Sequence, residues 1–163
     1  EIKTDQAFKQ EQQIAMAERE KVRASVIERK DEVAAFANTQ LKAYKAGTIQ
    51  GLQKTEMNLE YVIHEQGDGE RAANGRSASV QYFGMLVSDG SIFDQSFPEG
   101  NPYTFTLGQG GVIKGWDVGI PLLNSGGSAS LFVPYELAYG EAGRPGIPPK
   151  AKLYFYVELQ ELN

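Results

Sequence analysis

Pro102–Leu123 reads PYTFTLGQGGVIKGWDVGIPLL, and the rest of the chain is organised around it. Tyr103-Thr104-Phe105-Thr106-Leu107 alternates large apolar with polar residues, the period of a half-buried strand. Gly108, Gly110 and Gly111 then break that strand, because glycine turns a chain without steric cost. Val112–Val118 is predicted to be a short helix, with Val112, Ile113 and Trp116 sharing one face. Trp116 is the only tryptophan. A large indole on a short helix behind a tight turn can floor an apolar pocket or simply fill a core. The stretch alone leaves both open.

Working outward, composition divides the chain near residue 58. Up to Glu60 there are two glycines, no proline, and 10 basic against 10 acidic residues; beyond it lie sixteen glycines, all seven prolines, and 6 basic against 11 acidic residues. The first part, residues 1–57, reads as a helical arm and linker, and residues 58–163 as the folded domain. The net charge of -5 argues against a nucleic-acid partner. No apolar run approaches the roughly 20 residues of a membrane helix. With no cysteine and one histidine, disulfides, thiolate metal sites and multi-histidine zinc sites are excluded, and no metal or cofactor is expected.

Residues 6–46 read as helix, continuous or broken once, with Asp31-Glu32-Val33 a plausible break. Val22, Val26, Val33, Ala37, Leu41 and Tyr44 form a narrow apolar stripe within mixed charge. Unbroken, the helix would be about 60 Å long, too long to lie wholly on a small domain. It reads either as a dimerising arm or stalk, or as a solvated helix whose last turns dock. Gly47 is its expected C-cap, and residues 48–57 are a linker or short extension. Strands are expected at residues 59–65, 78–87, 92–94, 128–133 and 151–162. His64 has no acid or nucleophile at a motif spacing and reads as a strand-surface histidine. The fold class is α+β: an antiparallel sheet with one short helix, preceded by a helical extension.

No nucleophile elbow, phosphate loop or metal cluster appears. An aromatic residue beside a turn does recur, at Tyr82, Phe93, Tyr103, Trp116, Tyr139 and Phe155. That set suits a pocket for a compact apolar group, although each one singly could be core. The segments VQYFGML (80–86), FDQS (93–96), PYTFTLGQGGVIKGWDVGI (102–120), VPYELAYG (133–140) and GRPGIPPKAKLYFYVEL (143–159) closely resemble FKBP-type peptidyl-prolyl cis-trans isomerases, in family order and spacing. The resemblance covers roughly residues 58–163 and is weak over the arm. It implies a five- or six-strand antiparallel sheet wrapped around a short helix.

The resemblance also implies the site. Trp116 would lie under a prolyl ring, with Tyr82, Phe93 and Phe155 as walls and Val112 and Ile113 at the rim. The Ile113 N–H and the Tyr139 hydroxyl would bind ligand carbonyls, and Asp94 would sit at the edge beside Tyr82. Tyr103 stands where phenylalanine is frequent, and Ile147 belongs to the implied binding set. Arg144 stands where some members have histidine, and the loop holding Gly146-Ile147-Pro148-Pro149 is one residue shorter than the common eukaryotic form. Tyr82, Asp94, Tyr139 and Phe155 are the implied catalytic set. The implied activity is cis-trans isomerisation of X-Pro bonds in proline-containing polypeptides, assisting folding; tacrolimus- or rapamycin-type macrolides are implied ligands. The alternatives are a proline-binding module or chaperone with little turnover, and a coiled-coil partner with an inert domain. The arm and the missing initial Met suggest the periplasm or outer envelope of a bacterium, with the cytoplasm as the alternative, and homodimerisation through the arm.

Overall fold

The computed structural model describes residues 4–163. Helices α1 (Asp5–Glu28) and α2 (Lys30–Ala46) precede strands β1 (Gln53–Lys54), β2 (Glu60–Glu65), β3 (Ser77–Leu86), β4 (Ile92–Gln95) and β5 (Tyr103–Thr106), helix α3 (Lys114–Gly119), and strands β6 (Ser128–Val133) and β7 (Leu153–Leu162). All strand pairs are antiparallel, in the order β1-β2-β6-β7-β3-β4. β5 continues the β4 edge, pairing with the first half of β3. The sheet thus has seven strands, more than the five or six expected. The addition lies in the expected linker, where Gln53 and Lys54 pair with Tyr61 and Glu60.

The sheet buries both faces, and β3 and β7 show how. Val80, Leu86, Leu153, Phe155, Val157 and Leu159 point to the α3 side and form one core with Trp116, Ile120 and Leu131. Their alternates Phe83, Met85, Tyr154 and Tyr156, with Phe132 of β6 and Phe97, point the other way and form a second core. Helix α2 closes that second core with Val33, Ala37 and Leu41, each at most 4% exposed. A fully buried Val or Leu stabilises by roughly 1.5–3 kcal/mol, so this face is a major share of the fold. Tyr44 stacks on Phe132 with ring centroids 3.9 Å apart. The Tyr44 hydroxyl also donates to Glu60 at 2.5 Å, Lys152 donates to Glu60 at 2.9 Å, and Lys152 contacts the Tyr44 hydroxyl. These bonds tie the end of α2 to β2 and to the entry of β7.

Two helix expectations shift. The break falls at Arg29, ahead of the acidic step at residues 31–33. At the break the Arg29 guanidinium reaches the sheet and grips Glu158 of β7 with two bonds of 2.8 Å. Burial alone would raise the Glu158 pKa, but Arg29 and the Tyr156 hydroxyl, at 2.6 Å, hold it below the usual carboxylate range. Both helices reach the second core, α1 through Val26 and α2 through Val33, Ala37 and Leu41. Of the stripe, Val26, Val33, Ala37 and Leu41 are buried, while Val22 remains 44% exposed. Gly47 caps α2 at φ 74°. His64 is not a surface residue: it sits half-buried at a register shift in β2, 2.8 Å from the Ser130 hydroxyl, with Phe36 of α2 packed edge-on at 4.8 Å.

Candidate active site

α3 begins at Lys114, two residues later than expected from Val112, with Ile113 as its N-cap in extended backbone. This places Val112 and Ile113 on the lip of the helix and Trp116 one turn inside, 5% exposed. Tyr82 of β3 and Phe155 of β7 meet the indole edge-on at 5.2 and 5.4 Å, and Phe93 of β4 meets Phe155 edge-on at 5.4 Å. Phe105 and Tyr103 of β5 back the indole at 5.8 and 6.4 Å. Edge-to-face pairs of this kind stabilise beyond their burial and hold ring positions. Gly84 makes the closure feasible. A Cβ there would lie 2.7 Å from Phe93 and 3.0 Å from Phe155, so any side chain would drive the walls apart.

The result is a cavity of about 480 Å3. Tyr82, Phe93, Asp94, Tyr103, Val112, Ile113, Trp116, Tyr139 and Phe155, all expected from the sequence, line it together. Ile147 does not. It is buried at the closing end of the hairpin it forms with Arg144 and lines an adjoining hollow of about 280 Å3 beside Phe93 and Tyr139.

The polar groups are few. The Tyr82 hydroxyl donates to Asp94 at 2.8 Å. Burial, then that carboxylate, pushes the Tyr82 pKa well above the ordinary tyrosine range, so the hydroxyl keeps its proton and remains a donor. The Tyr139 hydroxyl and the Ile113 N–H have no partner among the described residues, and neither has the buried Trp116 Nε1. Among the described residues no cluster of His, Cys, Asp or Glu could hold a metal. The lining therefore offers ring faces, three tyrosine hydroxyls, an amide donor, one carboxylate and the Arg144 guanidinium at the lip. It holds no nucleophile paired with a base.

Sequence reading missed two contributors. Asp117, on the α3 turn beyond Trp116, accepts from the Gly108 and Gly110 N–H groups, both at 3.0 Å. It thereby fixes the glycine loop that leads to Val112 and Ile113. An Asp following the Trp in a helix carries no spacing signal for bonds to a loop upstream. Ser96 accepts from the Tyr82 N–H at 2.8 Å and donates to Gln81 at 2.7 Å, anchoring the loop after Asp94. Behind it, buried Phe97 lies under Arg29, whose guanidinium is 5.8 Å from the ring centre.

Residues 68–160 match the family model of FKBP-type peptidyl-prolyl cis-trans isomerases. The chain belongs to this family. It is 42% identical over 113 residues to the FKBP-type peptidyl-prolyl cis-trans isomerase FkpA of Escherichia coli, covering 69% of this chain and 41% of that protein. An FkpA-type protein of Neisseria meningitidis is 36% identical over 157 residues, 96% of this chain and 54% of the relative. The chain thus spans about half or less of these relatives' length. Among solved structures, Escherichia coli FkpA superposes with a TM-score of 0.68 at 36% identity, over 99% of this chain and 74% of that one.

Proposed function

We propose that this chain catalyses cis-trans isomerisation of X-Pro peptide bonds and thereby assists protein folding. The observation that carries the reading is the Trp116 indole, buried in the lining of a small cavity and met edge-on by Tyr82 and Phe155. A prolyl ring matches this floor in size and polarity. Residues 58–163 form the isomerase domain in this reading. Residues 1–57 are its arm and linker, with α2 as the domain's back cover.

The chemistry follows from the amide. Rotation about C–N breaks resonance and faces a barrier of about 18–20 kcal/mol. The twisted amide has less charge separation than the planar one. A water-poor aromatic cavity therefore disfavours the planar ground state relative to the twisted state. The Ile113 N–H and the Tyr139 hydroxyl, both unspent within the protein, hold ligand carbonyls and fix the segment while one side turns. Asp94 orients Tyr82 and sets the field at the cavity edge. No proton is transferred, which fits a lining without an acid–base pair.

Tacrolimus- and rapamycin-type macrolides, which carry a proline-like ring, are proposed to compete for the same cavity. The arm shared with FkpA over nearly the whole chain supports a place in the bacterial envelope. No helix among the described residues is long and apolar enough to cross a membrane. The exposed Phe8, Ile14 and Met16 of α1 support pairing of two chains through that helix, which light scattering on the full chain would test. The activity itself is tested with a protease-free isomerisation assay on a short Leu-Pro peptide. The expected result is saturable catalysis, abolished by tacrolimus if the drug binds. A folded protein that leaves the uncatalysed rate unchanged overturns the reading.

A further inference from the structure

The cavity does not end at its walls. On one side, beyond Tyr82 and Tyr103, a hollow of about 330 Å3 runs past Asp94 to Ser96 and Glu99. On the other, beyond Phe93 and Tyr139, the hollow over Ile147 runs past Asp94 to Arg144. Tyr82, Asp94 and Tyr103 line both the first hollow and the cavity, and Phe93, Asp94, Tyr139 and Arg144 line both the second and the cavity, so the three spaces adjoin as one trough around Asp94. A prolyl ring fills only the centre, and the residues flanking it must lie in the arms of the trough.

The two arms differ in charge. Glu99 stands in one and Arg144 in the other. Among the described residues, Arg144 is the only cation lining any of the three spaces. Although exposed, it is oriented by the fold. Its backbone closes a tight hairpin with Ile147 through bonds of 3.0 and 2.8 Å, and its guanidinium lies over the Tyr139 ring, 5.0 Å from the centre. It makes no ion pair among the described residues, although its planar fork is the group best suited to a carboxylate. The result is an unpaired cation oriented at the lip of an otherwise uncharged or acidic trough.

We infer that Arg144 makes this site selective for X-Pro segments carrying an acidic side chain a few residues from the prolyl bond, on one side only. This inference rests on the isomerase reading above and adds its substrate class. The one-sidedness follows from Glu99, which repels an acidic side chain at the far end of the trough. Because the contact is made to substrate and transition state alike, it acts through KM rather than kcat.

The test is a position scan on the full chain. In the peptide Ala-Ala-Leu-Pro-Phe-Ala-Ala, each alanine is replaced in turn by Glu, Gln or Lys, and isomerisation is followed by exchange NMR. At one or more positions on one side of the proline, Glu should raise kcat/KM over Gln by about two- to fivefold, the scale of a solvent-exposed ion pair. Lys should lower it there, and added salt should erode the gain. The Glu-to-Gln ratio should fall to about one in Arg144→Gln, invert in Arg144→Glu, and survive in part in Arg144→Lys. Melting curves would establish that each variant is folded. A ratio of one at every position in the wild type overturns the inference, as does a gain that persists in Arg144→Gln. Both leave the isomerase reading standing if the all-alanine peptide is turned over. Failure to turn over any peptide removes that reading and the inference with it.

Discussion

The two faces of the sheet are built from the same strands and do different work. On one face β3 and β7 present Val80, Tyr82, Phe155 and Val157 to α3 and leave a cavity open above Trp116. On the other the alternate residues Phe83, Met85, Tyr154 and Tyr156 meet α2, and the hollow of about 550 Å3 at that core's edge is lined by Val26, Arg29, Tyr156 and Glu158, with one aromatic ring where the front cavity has six. The front face tolerates unsatisfied donors and exposed aromatics because a ligand can use them. The back face spends its polar groups internally, in the Arg29–Glu158 and Tyr44–Glu60–Lys152 sets. In this chain the other side of the sheet is covered by α2, which belongs to the arm.

The sharpest way to break this comparison is to remove that cover. A chain beginning near Leu52, without α1 and α2, should expose Phe83, Phe132, Tyr154 and Tyr156 and should aggregate or melt far below the full chain. A chain beginning near Lys21, lacking only the exposed part of α1, should melt within a few degrees of it. Thermal melts and light scattering on both decide the point, and a stable, monodisperse protein from residue 52 onward would show that the back face closes without α2.

Less drastically, Leu41→Ala should cost about 2–4 kcal/mol in chemical denaturation, the range for emptying a buried leucine site. Its kcat/KM well below the melt should stay within about twofold of wild type, since α2 does not reach the cavity. A large loss of activity at full folding would couple the faces more tightly than their separate cores suggest.

A smaller effect is expected on the front. Asp117→Ala releases the Gly108 and Gly110 amides, so the loop before Val112 should loosen and KM should rise about three- to tenfold, with little change in melting. Unchanged KM would mean that the glycine loop holds its shape alone.

The smallest effect is one of pH. Burial lowers the His64 pKa below its ordinary value, and the groups around the ring are Ser130, Phe36 and Tyr156, none of them charged at neutral pH. Above the unfolded pKa near 6.5 both states are neutral and nothing is lost. As pH falls below it, the unfolded chain takes up a proton that the folded chain resists, so stability declines and then levels off under the folded pKa. The Glu158 pair, with a depressed pKa, acts lower still, being lost only as pH falls through the carboxylate range. Denaturation midpoints between about pH 7.5 and 5.5 should therefore fall in wild type and flatten in His64→Gln. A slope identical in both would remove His64 from the account.

What was legible in the sequence follows the same division. The front face could be read because its residues sit in short stretches with fixed turns: the strand, glycine loop and Trp116 helix are contiguous, and Tyr82, Phe93 and Phe155 each lie in a recognisable segment. The back face could not. Phe83, Met85 and Tyr154 occupy the positions where an alternating strand would place solvent-facing residues, and nothing local says that a helix from residues 30–46 covers them. The α2 stripe of Val33, Ala37 and Leu41 was visible, but its partner was not. The Arg29 bonds at the break and the burial of His64 involve residues at positions 158 and 130, far along the chain. Ile147 stands apart for a related reason: its hairpin with Arg144 places it on the adjoining hollow and not on the central cavity.

The claim that the front face is the working face is tested most directly at Asp94, the one carboxylate on the cavity. Replacing it with Leu removes a charge-assisted hydrogen bond to Tyr82 at an exposed edge, so the fold should be retained. Peptide isomerisation by Asp94→Leu, measured beside its circular dichroism, should show kcat/KM reduced about ten- to a hundredfold. Tyr82→Phe should cost less, and the double variant should be no worse than Asp94→Leu if the pair acts as one unit. Wild-type rates from a folded Asp94→Leu protein would contradict the account.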